Sequence, residues 1–188
     1  MTIGNTSANA NSGVGADIIG QSFVNDTSGT GTLILLNDWA VVVSEYGVNN
    51  PLSSSAILNI YAGTGIGGTL IGSATAYDSS GTLAGNNTAK WTFAGGLSLI
   101  DNQTYTAAVI STTLGQLFYI FSTANPYVNG YVTRSVSGDL PSYDTLFQAN
   151  FSAAATPVPF EFEPTGGLLV LGGGWLLRRH LKKRAKKA

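Results

Sequence analysis

The sequence predicts an all-β domain of sandwich or barrel type, on two observations. Short runs rich in β-branched and aromatic residues recur from Ile18 to about Phe151, bounded by clusters of Gly, Asn, Asp, Ser and Pro. No segment before Thr165 carries a convincing 3.6-residue apolar period. Many short strands with regular turns are the pattern of antiparallel sandwiches and barrels.

In order along the chain, residues 1–16 are small and polar without periodicity, and read as a disordered leader. Strands are expected at Ile18–Val24, in the long apolar run Leu33–Ser44 that Asp38 interrupts, and at Ala56–Ala62. Thr69–Tyr77 follows, with Ile71, Ser73, Thr75 and Tyr77 expected on one face. Thr88–Ala94 alternates, putting Ala89, Trp91 and Phe93 toward the core and Lys90 and Thr92 outside. Thr104–Ser111 repeats that pattern with Tyr105, Ala107 and Val109. Gly115–Ser122, Tyr127–Thr133 and Thr145–Phe151 complete the set. Between them, Asp26–Gly29, Asn49-Asn50-Pro51, Asp78–Gly81, Gly85-Asn86-Asn87, Asp101-Asn102 and Ser137-Gly138-Asp139 supply the positive-φ and Asx-turn positions that hairpins need.

Composition narrows the function. Only 10% of residues are charged, yet 44% are hydrophobic, so the chain is weakly charged without being disordered. The absence of Cys removes disulfides, thiol chemistry and Cys-ligated zinc. The one His is His180, near the C-terminus, so a His-dependent triad or multi-His metal site in the domain is excluded. Charge is segregated. Lys90 and Arg134 against all ten acids leave residues 1–164 at −8, whereas seven Arg and Lys from Arg178 onward give +7 with no acid. The acidic domain argues against a nucleic-acid partner, because phosphate neutralisation needs Lys and Arg.

The C-terminal part falls into zones. Residues 153–164 are a linker ending in a Pro/Glu motif: Val158, Pro159, Phe160, Glu161, Glu163 and Pro164. Residues 165–177 are uncharged, apolar and Gly-rich, and predict a short membrane-directed helix with Trp175 at the interface. Residues 178–188 hold the basic cluster Arg178, Arg179, Lys182, Lys183 and Arg184. Pro164 suits the first helical turn, with Glu161 and Glu163 at the positive end of the dipole and the basic cluster at the negative end. The positive-inside rule places the preceding domain on the outer side. Thirteen residues at 1.5 Å span only ~20 Å against a ~30 Å hydrocarbon core, short for a permanent anchor.

This order of motif, short span and basic end resembles a PEP-CTERM sorting signal, and Pro159-Phe160-Glu161 is similar to its cyanobacterial-type variant. In this chain the family's usual Val-Pro-Glu-Pro string is split, as Val158-Pro159 and Glu163-Pro164. The resemblance covers residues 157–187. It implies a membrane-associated precursor, an exosortase-like processing enzyme as partner, and release or attachment at the cell surface. Family members carry an export leader, and residues 1–16 have neither its basic nor its apolar region, so the resemblance implies a leader upstream of Met1. A second resemblance covers residues 18–151. Ile19–Phe23, Leu58–Gly63, Gly67–Ser73, Trp91–Phe93 and Leu97–Tyr105 stand in the order seen in some bacterial secreted jelly-roll modules.

The fold expected is thus an antiparallel β-sandwich, jelly-roll-like, over residues 17–152, with the short C-terminal helix after it. The function expected is that of an exported, non-enzymatic surface or matrix protein, a binding or structural module. The alternatives are a carbohydrate-binding or carbohydrate-active module and a self-associating matrix protein. Gly63–Gly68 matches G-x-G-x-x-G but precedes a strand pattern, so it reads as a hairpin loop and no dinucleotide cofactor follows. The loop acids Asp26, Asp78, Asp101, Asp139 and Asp144 form no calcium-loop spacing and read as Asx turns, so no metal is expected. No glycosidase pair can be assigned to Asp38, Glu45 or these acids, and no catalytic residue is named. Trp39, Trp91 and Tyr119 are aromatics that a sugar-stacking surface could use, but Trp91 reads as core. The expected ligand surface is Tyr127, Tyr131 and Tyr143, with an extracellular polysaccharide as candidate partner.

Overall fold

The computed structural model describes residues 1–6, 11–15, 17–26, 31–45, 52, 56–111, 117–123, 126–135 and 139–154. Among them the chain forms sixteen strands and no helix, and every pairing between strands is antiparallel. One five-stranded sheet runs β1 (Thr2–Asn5), β16 (Phe147–Ala153), β4 (Leu33–Val41), β11 (Ala89–Ile100), β8 (Tyr77–Asp78). The other runs β14 (Val132–Arg134), β3 (Ile18–Val24), β12 (Thr104–Ser111), β6 (Ala56–Ala62), β7 (Leu70–Ala74). A smaller sheet forms around β13 (Leu117–Ser122), which pairs with β2 (Asn11–Gly15), β5 (Val43–Glu45) and β15 (Asp144–Thr145). β9 (Thr82–Leu83) and β10 (Asn86–Asn87) make a separate hairpin.

The two large sheets share one apolar core, the arrangement of a β-sandwich. Alternation selects its members: Ile19 and Phe23 of β3, Trp39 and Val41 of β4, Leu58 and Ile60 of β6, Trp91 and Phe93 of β11, Tyr105 and Val109 of β12, Phe147 and Phe151 of β16. Phe23 joins the layers, its ring 5.0 Å from Trp39 and 6.2 Å from Phe151, while Trp39 stacks on Phe147 at 4.7 Å. Asp38 avoids this core through a bulge. The β4 register shifts around Asn37 against both β11 and β16, so Leu36 and Trp39 both point inward while Asp38 stays on the outer face. There Asp38 accepts a hydrogen bond from Asn150 Nδ2 at 2.7 Å. The matching slack in β11 lies at Gly95 and Gly96, both at φ of 78°.

β4 and β16 join the large sheet to the small one at the same level. Val42 N donates to Leu146 O at 3.0 Å, Leu146 N to Ile120 O at 3.0 Å, and Ile120 N to Val42 O at 3.4 Å. A second apolar cluster, Ala40, Val42, Leu146 and Leu83, lies there.

Several expectations are corrected. Within residues 1–16, expected to be a disordered leader, Thr2–Asn5 pairs along Phe147–Asn150 and Asn11–Gly15 pairs along Leu117–Phe121, so these two stretches are strands. The folded unit is Met1–Ala154, wider than 17–152. Thr69–Tyr77 is not one strand. β7 belongs to one large sheet and β8 to the other, so Ile71 and Tyr77 share no face. The last strand before β15 starts at Val132, and Tyr127 sits in a turn. Asn86-Asn87 is a strand, the turn being Ala84-Gly85 at φ of 49° and 79°. Lys90 is half-buried, not fully exposed. Ala153 closes β16, so the expected linker begins later, and its remainder from 155, the expected helix 165–177 and the basic tail lie outside the described residues.

Candidate functional site

β3 carries Gln21 in mid-strand on the face of Ile19 and Phe23, where an apolar residue would be expected, and Gln21 is fully buried. A buried primary amide must find partners, and it finds them on β15. Gln21 Nε2 donates to Asp144 Oδ1 at 2.8 Å, and Gln21 Oε1 accepts from Thr145 N at 2.8 Å. The other Asp144 oxygen, Oδ2, accepts from Tyr127 N at 2.9 Å. Asn5, also buried, extends the network to the N-terminal strand, Nδ2 donating to Ser122 Oγ at 3.2 Å and Thr145 O at 3.1 Å. Burial pushes the Asp144 carboxyl above its ordinary value, and the two N–H donors pull against that shift. This cluster holds a carboxylate in place with its oxygens engaged, and its chemistry is that of a clamp between β1, β3, β13 and β15.

The three expected ligand tyrosines do not form one surface. Tyr127 packs edge-on against Phe147 at 5.3 Å, and its hydroxyl accepts from Val24 N at 3.0 Å while donating to Val24 O at 2.7 Å. Burial raises the Tyr127 phenol above its usual value. Tyr143 packs edge-on against Phe121 at 5.2 Å and borders the core. Tyr131 alone lies on an outer sheet face, its backbone N donating to Ser22 Oγ at 2.8 Å and its hydroxyl to Asp139 Oδ2 at 3.4 Å. Trp39, Trp91 and Tyr119 are buried.

The sequence-named acids scatter. Asp78 Oδ1 accepts from Ser80 N at 2.9 Å, an Asx turn as expected, and Ser80 holds its carboxyl below the ordinary value. Asp101 is buried in the turn after β11 and Asp144 in β15, Asp26 and Asp139 are exposed, and Asp38 bonds Asn150. Among the described residues no three or more His, Cys, Asp or Glu gather as a metal-ligand group. Gly63–Gly68 joins β6 to β7 as a hairpin loop, with Gly63 and Gly65 at φ of 81° and 76°. The sorting-motif residues Val158, Pro159, Phe160, Glu161, Glu163 and Pro164, and the cluster Arg178, Arg179, Lys182, Lys183 and Arg184, lie outside the described residues.

Two groups were missed from the sequence. Gln21 and Asn5 carried one signal each, an amide inside the apolar run Ile18–Val24 and an Asn in a stretch without periodicity. Tyr61 and Asn59, on the outer face of β6, hydrogen-bond each other, Asn59 Nδ2 donating to Tyr61 Oη at 2.9 Å. Their alternation with Leu58 and Ile60 was the available signal.

No family model matches the chain, and no curated protein matches it. Among solved structures it is similar to chains titled "Structure of infectious bursal disease virus Gt strain", at TM-score 0.27 and 11% identity, and "Structure of infectious bursal disease virus Gx strain", at TM-score 0.26 and 13% identity. Each alignment covers 100% of this chain and 52% of the viral chain, so the chain spans about half the length of either.

Proposed function

We propose that this chain is an exported, non-enzymatic surface or matrix protein, a binding or structural module delivered by a C-terminal sorting signal. The observation that carries the reading is the order of zones at the end of the chain: the Pro/Glu motif at 158–164, the short uncharged span at 165–177, then seven Arg and Lys without an acid. A short, Gly-weakened span suits processing better than permanent anchoring, since glycine costs ~1 kcal/mol relative to alanine in a helix. The sandwich before it is proposed to be jelly-roll-like. Its support is the path of the chain, which passes from β3 in one large sheet to β4 in the other, back to β6, out again to β11 and back to β12. The non-enzymatic reading draws on Asp144, whose two oxygens both accept N–H hydrogen bonds in a buried clamp.

The test is mass spectrometry of the protein exported by a host that carries a matching sorting enzyme. The mature form is expected to lack Arg178 to Lys187, and the double variant Glu161→Ala, Glu163→Ala to leave a longer, membrane-retained species. An intact C-terminus on the exported protein, with or without the enzyme, overturns the sorting reading.

A further inference from the structure

We infer that Asn129 is a site of spontaneous covalent modification, at which water converts the side-chain amide through a cyclic imide into isoaspartate and so loosens residues 127–131 from β3. The inference goes beyond the proposed function and stands on the folded unit alone.

The chemistry needs an Asn side chain that the next backbone nitrogen can reach. Asn129-Gly130 is the one Asn-Gly step in the sequence, and every other Asn precedes a residue with a side chain. Glycine has no Cβ to hinder closure of the five-membered ring, and it leaves the backbone free to turn into the attacking geometry. Asn129 also lies where the chain is open to water. It is exposed in the turn from Tyr127 to Gly130, beside Val128, which is 79% exposed. The nucleophile, Gly130 N, donates to Tyr127 O at 3.2 Å, the long end of the N–H···O range, so the bond that must break to free it is a weak one.

The step balances. Gly130 N bonds to Asn129 Cγ, the Cγ–Nδ2 bond breaks, and the Gly130 N–H proton leaves with Nδ2 as ammonia. Water then adds to one of the two imide carbonyls. Opening at the original peptide carbonyl routes the main chain through Cγ and gives isoaspartate, while opening at Cγ gives aspartate. Either product carries a carboxylate where the amide was neutral.

The turn has no room for isoaspartate. A Cβ on Gly130 would lie 1.8 Å from Ser22 O and 3.0 Å from Gln21 Nε2, so this stretch sits directly on β3. Isoaspartate lengthens the main chain by one methylene next to that contact. The bonds at stake are Tyr131 N to Ser22 Oγ at 2.8 Å and Ser22 N to Tyr131 O at 2.9 Å. The new charge is misplaced as well. Burial raises the Tyr127 phenol, and the charges of Asp144 and Asp26 add to that shift, so both acids lie near this turn. Asp139 accepts from the Tyr131 hydroxyl on the other side. A further carboxylate at position 129 meets like charges.

The test is to age the folded full chain at mildly alkaline pH and map it by peptide mass spectrometry, with an isoaspartate-specific methyltransferase as the label. Modification is expected at Asn129 before any other asparagine, with ammonia released in equal amount and isoaspartate exceeding aspartate. Asn129→Gln, whose longer side chain must close a six-membered ring, is expected to lose the label. Asn129 does not have a positive φ, so this substitution meets no backbone strain. The aged chain, separated from the parent by its added charge, is expected to exchange the Ser22 amide faster while Val109 in β12 exchanges as before. Labelling of Asn129 only after unfolding in urea would show that the folded turn shields it, and overturns the inference. So does a modified chain whose Ser22 amide exchanges like the parent's. Neither result alters the C-terminal mass on which the sorting reading stands.

Discussion

At the scale of single residues, Asp144 shows how burial and hydrogen bonding compete over one carboxyl. Its folded pKa lies above the ordinary 3.8, chiefly through desolvation, with Tyr127 N–H and the Gln21 amide opposing the shift. Between 3.8 and the folded value the folded chain holds more protons on this group than the unfolded chain does. Stability from Asp144 is therefore greatest at low pH and declines as pH rises through that window. Asp144→Asn removes the titration and turns an amide N–H toward one of the two donors, at a cost of ~1–3 kcal/mol. Urea unfolding of parent and variant from pH 3 to 7 is expected to show the parent's advantage shrinking as pH rises above about 3.8. An advantage that stays constant or grows would mean that the carboxyl is not raised. Only part of this residue-level structure was legible beforehand. Trp91 was, because its neighbours Lys90 and Thr92 fix the phase of the strand, and it is indeed fully buried. Its ring Nε1 has no hydrogen-bond partner among the described residues, which no sequence pattern announces. Asp144 was read as a loop acid, since its partners Gln21 and Tyr127 are 123 and 17 positions away.

At the scale of elements, local signals worked where alternation alone decides. Thr104–Ser111 was read with the bounds of β12 because Tyr105, Ala107 and Val109 recur at period two. They failed where long-range pairing decides. Thr2–Asn5 is too polar and short to read as a strand, and becomes one because Phe147–Asn150 offers it a ladder. Thr69–Tyr77 looked continuous because nothing local marks the point at which the chain changes sheets. The missed outer-face pair, Asn59 and Tyr61, belongs to a strand whose bounds were read correctly, so the strand was legible but not the chemistry of its second face. Tyr127 was read into a strand but occupies the turn before Gly130, and that turn packs tightly on β3. A Cβ on Gly130 would lie 1.8 Å from Ser22 O, so any side chain must push the 127–131 segment off β3. Gly130→Ala is expected to cost ~1–3 kcal/mol by chemical denaturation, the range for a forced backbone shift. It should also raise amide exchange at Ser22, whose N–H bonds Tyr131 O at 2.9 Å. Parent-like stability and exchange would show that the contact is loose.

At the scale of the whole molecule, sequence-distant ends close the sandwich. β1 lies at one end of its sheet, pairs with β16, and through Asn5 joins the clamp made by Gln21, Asp144 and Thr145. β4 and β16 pass through Val42 and Leu146 to β5 and β15 of the small sheet, so disturbance of β16 reaches both sheets. Low charge raises the stakes, since few charged side chains guard a newly opened edge against another chain. Deleting residues 1–5 removes the β1 ladder and the Asn5 bonds to Ser122 Oγ and Thr145 O, and leaves β16 with an unpaired row of N–H and C=O groups. The bonds of Asn5 alone are worth ~1–3 kcal/mol when their buried partners lose them. At ~2–4 °C per kcal/mol for a chain of this size, the melting temperature is expected to fall by at least ~2 °C. The shortened chain should also elute earlier from a sizing column as its concentration rises, because the freed edge of β16 can pair with another copy. Substituting Asn5→Ala in the full chain separates the two effects: it should lower the melting temperature while leaving the ladder, and therefore the elution volume, unchanged. If the shortened chain melts with the parent, β1 is an ornament on the sheet and not its closing strand.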